Sequence, residues 1–138
     1  MSSSSITPLF ASLYVALGGA VGALMRFQLG RAITHVMGSA SGFPWATLII
    51  NISGSLAMGV LFGWLARGSQ SVQMGEILRL MVGFGLLGGF TTFSAFSAEL
   101  VILAQRGQIL LSFAYGSVSL IAGMAAFLIG LVMIQSAP

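Results

Sequence analysis

The sequence predicts an all-α integral membrane protein of four transmembrane helices, the third broken at its centre, with almost nothing outside the bilayer. Three observations carry that prediction. Of 138 residues, 57% are hydrophobic and only 5% charged, and mean hydropathy is +1.06; a water-facing domain carries about 25% charged residues. Four apolar runs, covering about 9–29, 45–65, 77–103 and 110–134, each suffice to cross the hydrocarbon, which takes about 20 residues at 1.5 Å apiece. The breaks between them carry turn chemistry: Gly38-Ser39-Ala40-Ser41-Gly42-Phe43-Pro44, Arg67-Gly68-Ser69-Gln70-Ser71 and Arg106-Gly107-Gln108. The chain 1–138 therefore reads as one four-helix transmembrane domain without linker or repeat.

Before the first run stands Ser2-Ser3-Ser4-Ser5, which lacks the basic stretch of a secretory signal and is expected to be disordered. The run behind it is too long for a signal core and reads as a retained first span. It carries one charge, Arg26, which either snorkels to the headgroups or pairs with Glu99 of the third span. His35 and Arg31 follow outside the span, and His35 reads as interfacial rather than as a ligand.

Pro44 suits the start of the second span, as Gly68 and Gly107 suit helix ends. Within that span Asn51, Ser55 and Gly59 recur every four residues and share a face. A primary amide at membrane depth needs several partners, so Asn51 points to function more than the serine does. Trp45 and Trp64 fit interfacial anchoring.

The third span is abnormal. Gly83-Phe84-Gly85-Leu86-Leu87-Gly88-Gly89-Phe90-Thr91-Thr92-Phe93-Ser94-Ala95-Phe96-Ser97 combines glycine entropy with β-branched stiffness, and so weakens a helix. Irregular backbone at this depth survives only when buried in protein or facing water. A functional break and a tight helix crossing through small residues both account for it. Glu76 and Arg79, ahead of the apolar centre, read as a solvated loop pair.

In the fourth span Ser112, Tyr115 and Ser119 lie at i, i+3 and i+7, and Gly123 continues the stripe. Polar faces on three helices thus have the means to converge on one path, although small polar residues also serve ordinary packing, as do Gly18-Gly22, Gly59-Gly63 and Gly85-Gly89. On spacing alone Phe93 and Phe96 read as core or lipid-facing residues.

Charge placement bears on orientation and on chemistry. Arg67 and Arg79 lie on the side of the N-terminus, Arg31 and Arg106 on the other, with Arg26 between. Such a balance gives the positive-inside rule nothing to act on, and a chain inserting both ways up is able to form an antiparallel homodimer. Five scattered arginines make no nucleic-acid patch despite a pI near 10.8. One His, two acids and no Cys leave no catalytic or thiolate set, so the chain is not expected to be an enzyme. Neutral polar faces in a small bundle fit transport. Amide and hydroxyl donors with electropositive ring edges favour an anion, though their oxygens also suit a cation.

The motifs carry a resemblance. Gly18-Gly19-Ala20-Val21-Gly22-Ala23-Leu24-Met25-Arg26-Phe27, Pro44-Trp45-Ala46-Thr47-Leu48-Ile49-Ile50-Asn51-Ile52-Ser53-Gly54, and Gly83-Phe84 through Gly88-Gly89-Phe90-Thr91-Thr92-Phe93-Ser94-Ala95-Phe96 resemble the three helix signatures of the Fluc/CrcB fluoride channel family. The resemblance spans nearly the whole chain, the serine-rich start and the C-terminal tail excepted. It implies passive fluoride export across the bacterial cytoplasmic (inner) membrane, through two pores of an antiparallel, dual-topology homodimer embedded in lipid. At matching positions, Asn51 presents its amide to fluoride, and Phe93 and Phe96 supply ring edges. Tyr115, Ser119 and Ser94 line the path, with Thr47 and Glu99 near its ends and Arg26 at a vestibule. A central structural Na⁺ falls to backbone carbonyls, those of Gly88 and Thr91 from each subunit. Ala46 departs from the usual Gly before Thr47, and Gly123 and Phe127 replace the hydroxyls some members carry, which shortens the polar track of the fourth helix. Two rivals remain. A small multidrug-resistance-type cation exporter needs a carboxylate deep in the first helix, where only Arg26 stands; a non-transporting scaffold subunit predicts that Asn51 and Phe96 tolerate replacement.

Overall fold

Residues 6–38 and 42–136 are described in a computed structural model, and among them every regular element is helical. Ser2 to Ser5 lie outside the described residues. Helix α1 spans Pro8–Met37 and α2 spans Trp45–Ala66. The third span, Val72–Gln105, is assembled from α3 (Val72–Leu78), a π-helical segment (Arg79–Leu87), α4 (Gly88–Phe90) and α5 (Phe93–Gln105). Helix α6 spans Ile109–Gln135. All four spans are long and apolar enough to cross a membrane, so the protein is a multi-pass membrane protein. Trp45 and Trp64 mark the two ends of α2, about 28 Å apart along its axis, close to the hydrocarbon thickness.

Two helices outrun the apolar stretches that announced them. Helix α1 continues past Leu29 because Arg31, Thr34 and His35 end the hydrophobicity without ending the helix; Thr34 Oγ1 donates to Gly30 O at 2.8 Å. It stops at Gly38, whose φ of 72° leaves the helical region and whose N–H closes on Thr34 O. His35 thus stands in the last turn of α1 rather than in a loop. At the other end of the bundle Ser71 caps α3 by accepting the Met74 N–H at 3.3 Å, which places Glu76 inside a helix. Arg79 lays its guanidinium over the Phe84 ring, 5.5 Å from the centroid, and no ion pair joins it to Glu76 among the described residues.

Lipid gives apolar side chains no reason to hide, so backbone proximity holds the bundle. Helix α1 packs against the π-helical segment and α2 against α6. A methyl at Gly18 would overlap the Met81 carbonyl, one at Gly22 the Leu86 carbonyl, and one at Gly59 the Phe127 carbonyl. These glycines are contact surfaces. The reverse turns use Gly68 and Gly107, both at positive φ, and Arg67 Nη1 ties the Gly68 turn to Ile134 O at the end of α6, at 3.0 Å. Buried side chains form a small cluster of Leu48, Phe96, Leu103 and Tyr115, joining α2, α5 and α6.

Helical backbone ends at Phe90. Thr91 (φ −85°, ψ 162°) and Thr92 (φ −149°, ψ 125°) are extended, and Thr92 Oγ1 caps the new helix by accepting the Ala95 N–H at 3.2 Å. Gly88 itself is helical, at φ −65° and ψ −39°. The glycines are kept for close approach to α1, where Gly89 lies against the Gly19 backbone, while the threonines carry the extended pair.

Candidate functional site

Asn51 stands half-buried on α2 facing the two extended threonines. Its Nδ2 donates to Thr92 O at 3.0 Å, and its Oδ1 accepts the Thr92 N–H at 2.9 Å. One amide thus meets both the N–H and the carbonyl of the residue that caps α5. The pairing also fixes which end of the amide is which, because only the oxygen accepts from the backbone N–H. The second Nδ2–H has no acceptor among the described residues. The backbone consequence is equally specific. In a continuous helix the Thr92 N–H would reach Gly88 O and the Ala95 N–H would reach Thr91 O; here they go to Asn51 Oδ1 and Thr92 Oγ1. The Gly88 and Thr91 carbonyls are released from those bonds.

A groove of about 300 Å³ opens beside this junction. Asn51, Ser55, Thr91, Thr92, Phe93, Phe96 and Ser119 contribute to its wall, and none of its lining residues is charged. Ser119 Oγ is buried without a hydrogen-bond partner among the described residues. Phe96 is buried, whereas Phe93 is 78% exposed; their ring centroids lie 5.9 Å apart. Ser94 takes a different place: it is exposed, outside the groove wall, with its hydroxyl 3.3 Å from Thr92 Oγ1. Ser112 donates to Leu100 O at 2.8 Å and so stitches α6 to α5.

Beyond the groove sits Glu99. Its Oε1 accepts from Thr47 Oγ1 at 2.6 Å and its Oε2 from the Tyr115 hydroxyl at 2.7 Å. Tyr115 has no exposed surface, and its ring meets that of Phe96 at 5.3 Å and 60°. Glu99 is therefore satisfied by two hydroxyls from two other helices. Arg26 makes no ion pair with it. Instead Arg26 lines a larger crevice of about 1060 Å³ together with Arg31, His35, Thr47 and Thr92. Thr92 belongs to the walls of both this crevice and the groove, so it borders both cavities at the helix break.

Thr92 is the residue of this junction that sequence reasoning undervalued. The signal was present: a threonine just before Phe93-Ser94-Ala95-Phe96 has the position of a helix N-cap. Phe43, whose ring meets Tyr115 at 5.4 Å and 80°, carried no local signal.

The family model described as "CrcB-like protein, Camphor Resistance (CrcB)" matches residues 13–131. A protein of Novosphingobium aromaticivorans named "Fluoride-specific ion channel FluC" is 52% identical over 121 residues, covering 88% of this chain and 93% of the relative. Proteins of the same name from Erythrobacter litoralis and Hyphomonas neptunium are 48% and 46% identical, over 94% and 88% of this chain and 96% and 92% of their own lengths. With the match spanning all four helices, the chain belongs to the CrcB-like family.

Proposed function

We propose that the protein is a fluoride-selective channel that lets fluoride leave the cell passively across the bacterial cytoplasmic membrane. The observation that carries this reading is the donor bias of the groove. The oxygen of Asn51 is held by the Thr92 N–H, while one amide N–H and the Ser119 hydroxyl have no hydrogen-bond partner among the described residues. Phenyl rings add electropositive edges in the same wall. Donors without a facing acid suit a small, strongly hydrated anion and offer a cation little. The names of the relatives point to the same ion.

The working unit is an antiparallel homodimer with two pores. Balanced arginines on the two sides support dual topology. A ring as exposed as Phe93, beside an open groove, supports a second chain completing the wall. The released Gly88 and Thr91 carbonyls fit a central structural Na⁺, because hard oxygen donors are what such a cation takes. Bound there, the ion would supply a fixed positive charge at the dimer centre. The chain's own residues do the rest. Asn51 holds the extended backbone and offers its free N–H; Ser119, Phe93 and Phe96 replace part of the fluoride hydration shell; Tyr115 and Thr47 keep Glu99 engaged near the end of the path; Arg26 draws anions to the crevice.

Efflux from liposomes holding the purified protein tests the reading. Valinomycin carries compensating K⁺, and separate electrodes follow fluoride and chloride. Rapid fluoride release without chloride release is expected. No fluoride release from folded dimers would overturn the proposal.

A further inference from the structure

Tyr115 stands between aromatic rings that line two different cavities. Phe96, at 5.3 Å, faces the groove; Phe43, at 5.4 Å and 80°, faces a separate crevice of about 330 Å³ that Glu99 and Arg106 also line. Phe43 is half-buried against the cluster that contains Tyr115. Its own position is firmly set. It precedes Pro44, which restricts its backbone to extended conformations; its carbonyl accepts the Trp45 N–H at 2.9 Å, and its ring packs on Trp45 at 4.6 Å. The start of α2 thus presents Phe43 to the Tyr115 ring and, one turn later, Thr47 to the carboxyl that Tyr115 also serves.

We infer that Phe43 is a positioning residue for the anion path: its ring holds Tyr115 so that the phenol stays on Glu99. The inference rests on the channel reading of the groove. Two hydroxyls occupy the two oxygens of Glu99. Removing the Phe43 ring leaves open volume beside Tyr115 on the crevice side, into which the phenol ring turns and leaves Glu99 Oε2. A carboxyl oxygen stripped of its donor then faces the route of an anion and raises the barrier to it. Phe43 need never touch the ion to do this.

The chain has two tyrosines, Tyr14 and Tyr115, so tyrosine labelled with ¹³C at Cζ gives two NMR signals, and one of them reports the Tyr115–Glu99 bond. The experiment compares wild type, Phe43→Leu, Phe43→Trp, Tyr115→Phe and the double variant Phe43→Leu/Tyr115→Phe, by that signal and by fluoride efflux. In Phe43→Leu the Tyr115 signal is expected to move while Tyr14 stays, and efflux is expected to fall about tenfold, an ordinary coupling for side chains in contact. Phe43→Trp, which keeps a ring, restores both. The double variant conducts no worse than Tyr115→Phe alone, because both changes break the same bond. Phe43→Met provides a second ringless variant should Phe43→Leu fail to fold. An unmoved Tyr115 signal, or efflux losses that multiply in the double variant, would overturn the inference. Wild-type liposomes that release no fluoride would instead remove the channel reading, with the Tyr115 signal still reporting whether Phe43 positions the phenol.

Discussion

Replacing Asn51 by leucine tests whether one amide holds the extended backbone of the third span. Leucine keeps the forked four-atom shape of the side chain, so the change removes two hydrogen bonds without opening a cavity. The bonds lost are those to Thr92 O and from Thr92 N–H. Side-chain hydrogen bonds within bilayers average only about 0.6 kcal/mol, because the reference state finds other partners; two such bonds set a floor of about 1 kcal/mol. That average understates the present case. Thr92 is extended at the start of α5, so its N–H has no helical carbonyl to fall back on. A buried group left unpaired costs about 1–3 kcal/mol. Thr92 is half-buried and borders two cavities, so water recovers part of the loss. The expected cost is about 2–3 kcal/mol, a shift of about 30- to 150-fold in the folding equilibrium. Equilibrium unfolding of the purified protein in mixed micelles measures it. A variant within about 0.5 kcal/mol of wild type, inside the range of an ordinary surface change, would refute the stapling role.

Phe96→Ile is expected to abolish fluoride efflux while size-exclusion chromatography still shows a dimer; normal conduction would remove the ring-edge assignment. Gly59→Ala places a methyl on the Phe127 carbonyl and is expected to destabilise the bundle by about 1–3 kcal/mol, the usual cost of overpacking. Gly116→Ala meets only the end of Leu100, at 3.3 Å, and is expected to be nearly neutral in the same unfolding assay; equal losses at the two sites would contradict the packing account. A reporter fused to the C-terminus is expected to signal on both sides of the membrane, and a one-sided result would sink dual topology.

What could be read from the sequence divides by distance along the chain. Apolar runs and turn glycines are local, and they located four spans; hydropathy nevertheless ended α1 too early, since Arg31 and His35 mark the edge of the apolar stretch and not of the helix. The weakness of the third span was also local, but not its form. Gly88 stays helical where its neighbour packs on α1, and the extended pair falls on Thr91 and Thr92. Nothing in Arg79–Leu87 announces π-helical turns; that segment lies in backbone contact with the glycines of α1, and only the fold supplies the contact.

The deep charges make the sharpest case. Two ions of opposite sign, Arg26 and Glu99, invite pairing, and sequence alone leaves that open. In the fold Glu99 takes its donors from Thr47 and Tyr115, so it needs no cation. Arg26 keeps its charge unneutralised by any acid among the described residues, in a crevice shared with Arg31 and Thr47. Had the two paired, the crevice would present a closed ion pair at its inner end and little field to an approaching anion. In the proposed channel, satisfying the acid with hydroxyls would leave the arginine to concentrate anions in the crevice that Thr92 also borders. The arrangement is thus electrostatically asymmetric, with positive charge at the crevice and an acid kept engaged beside it. Tyr115 and Thr47 maintain that asymmetry without touching the arginine.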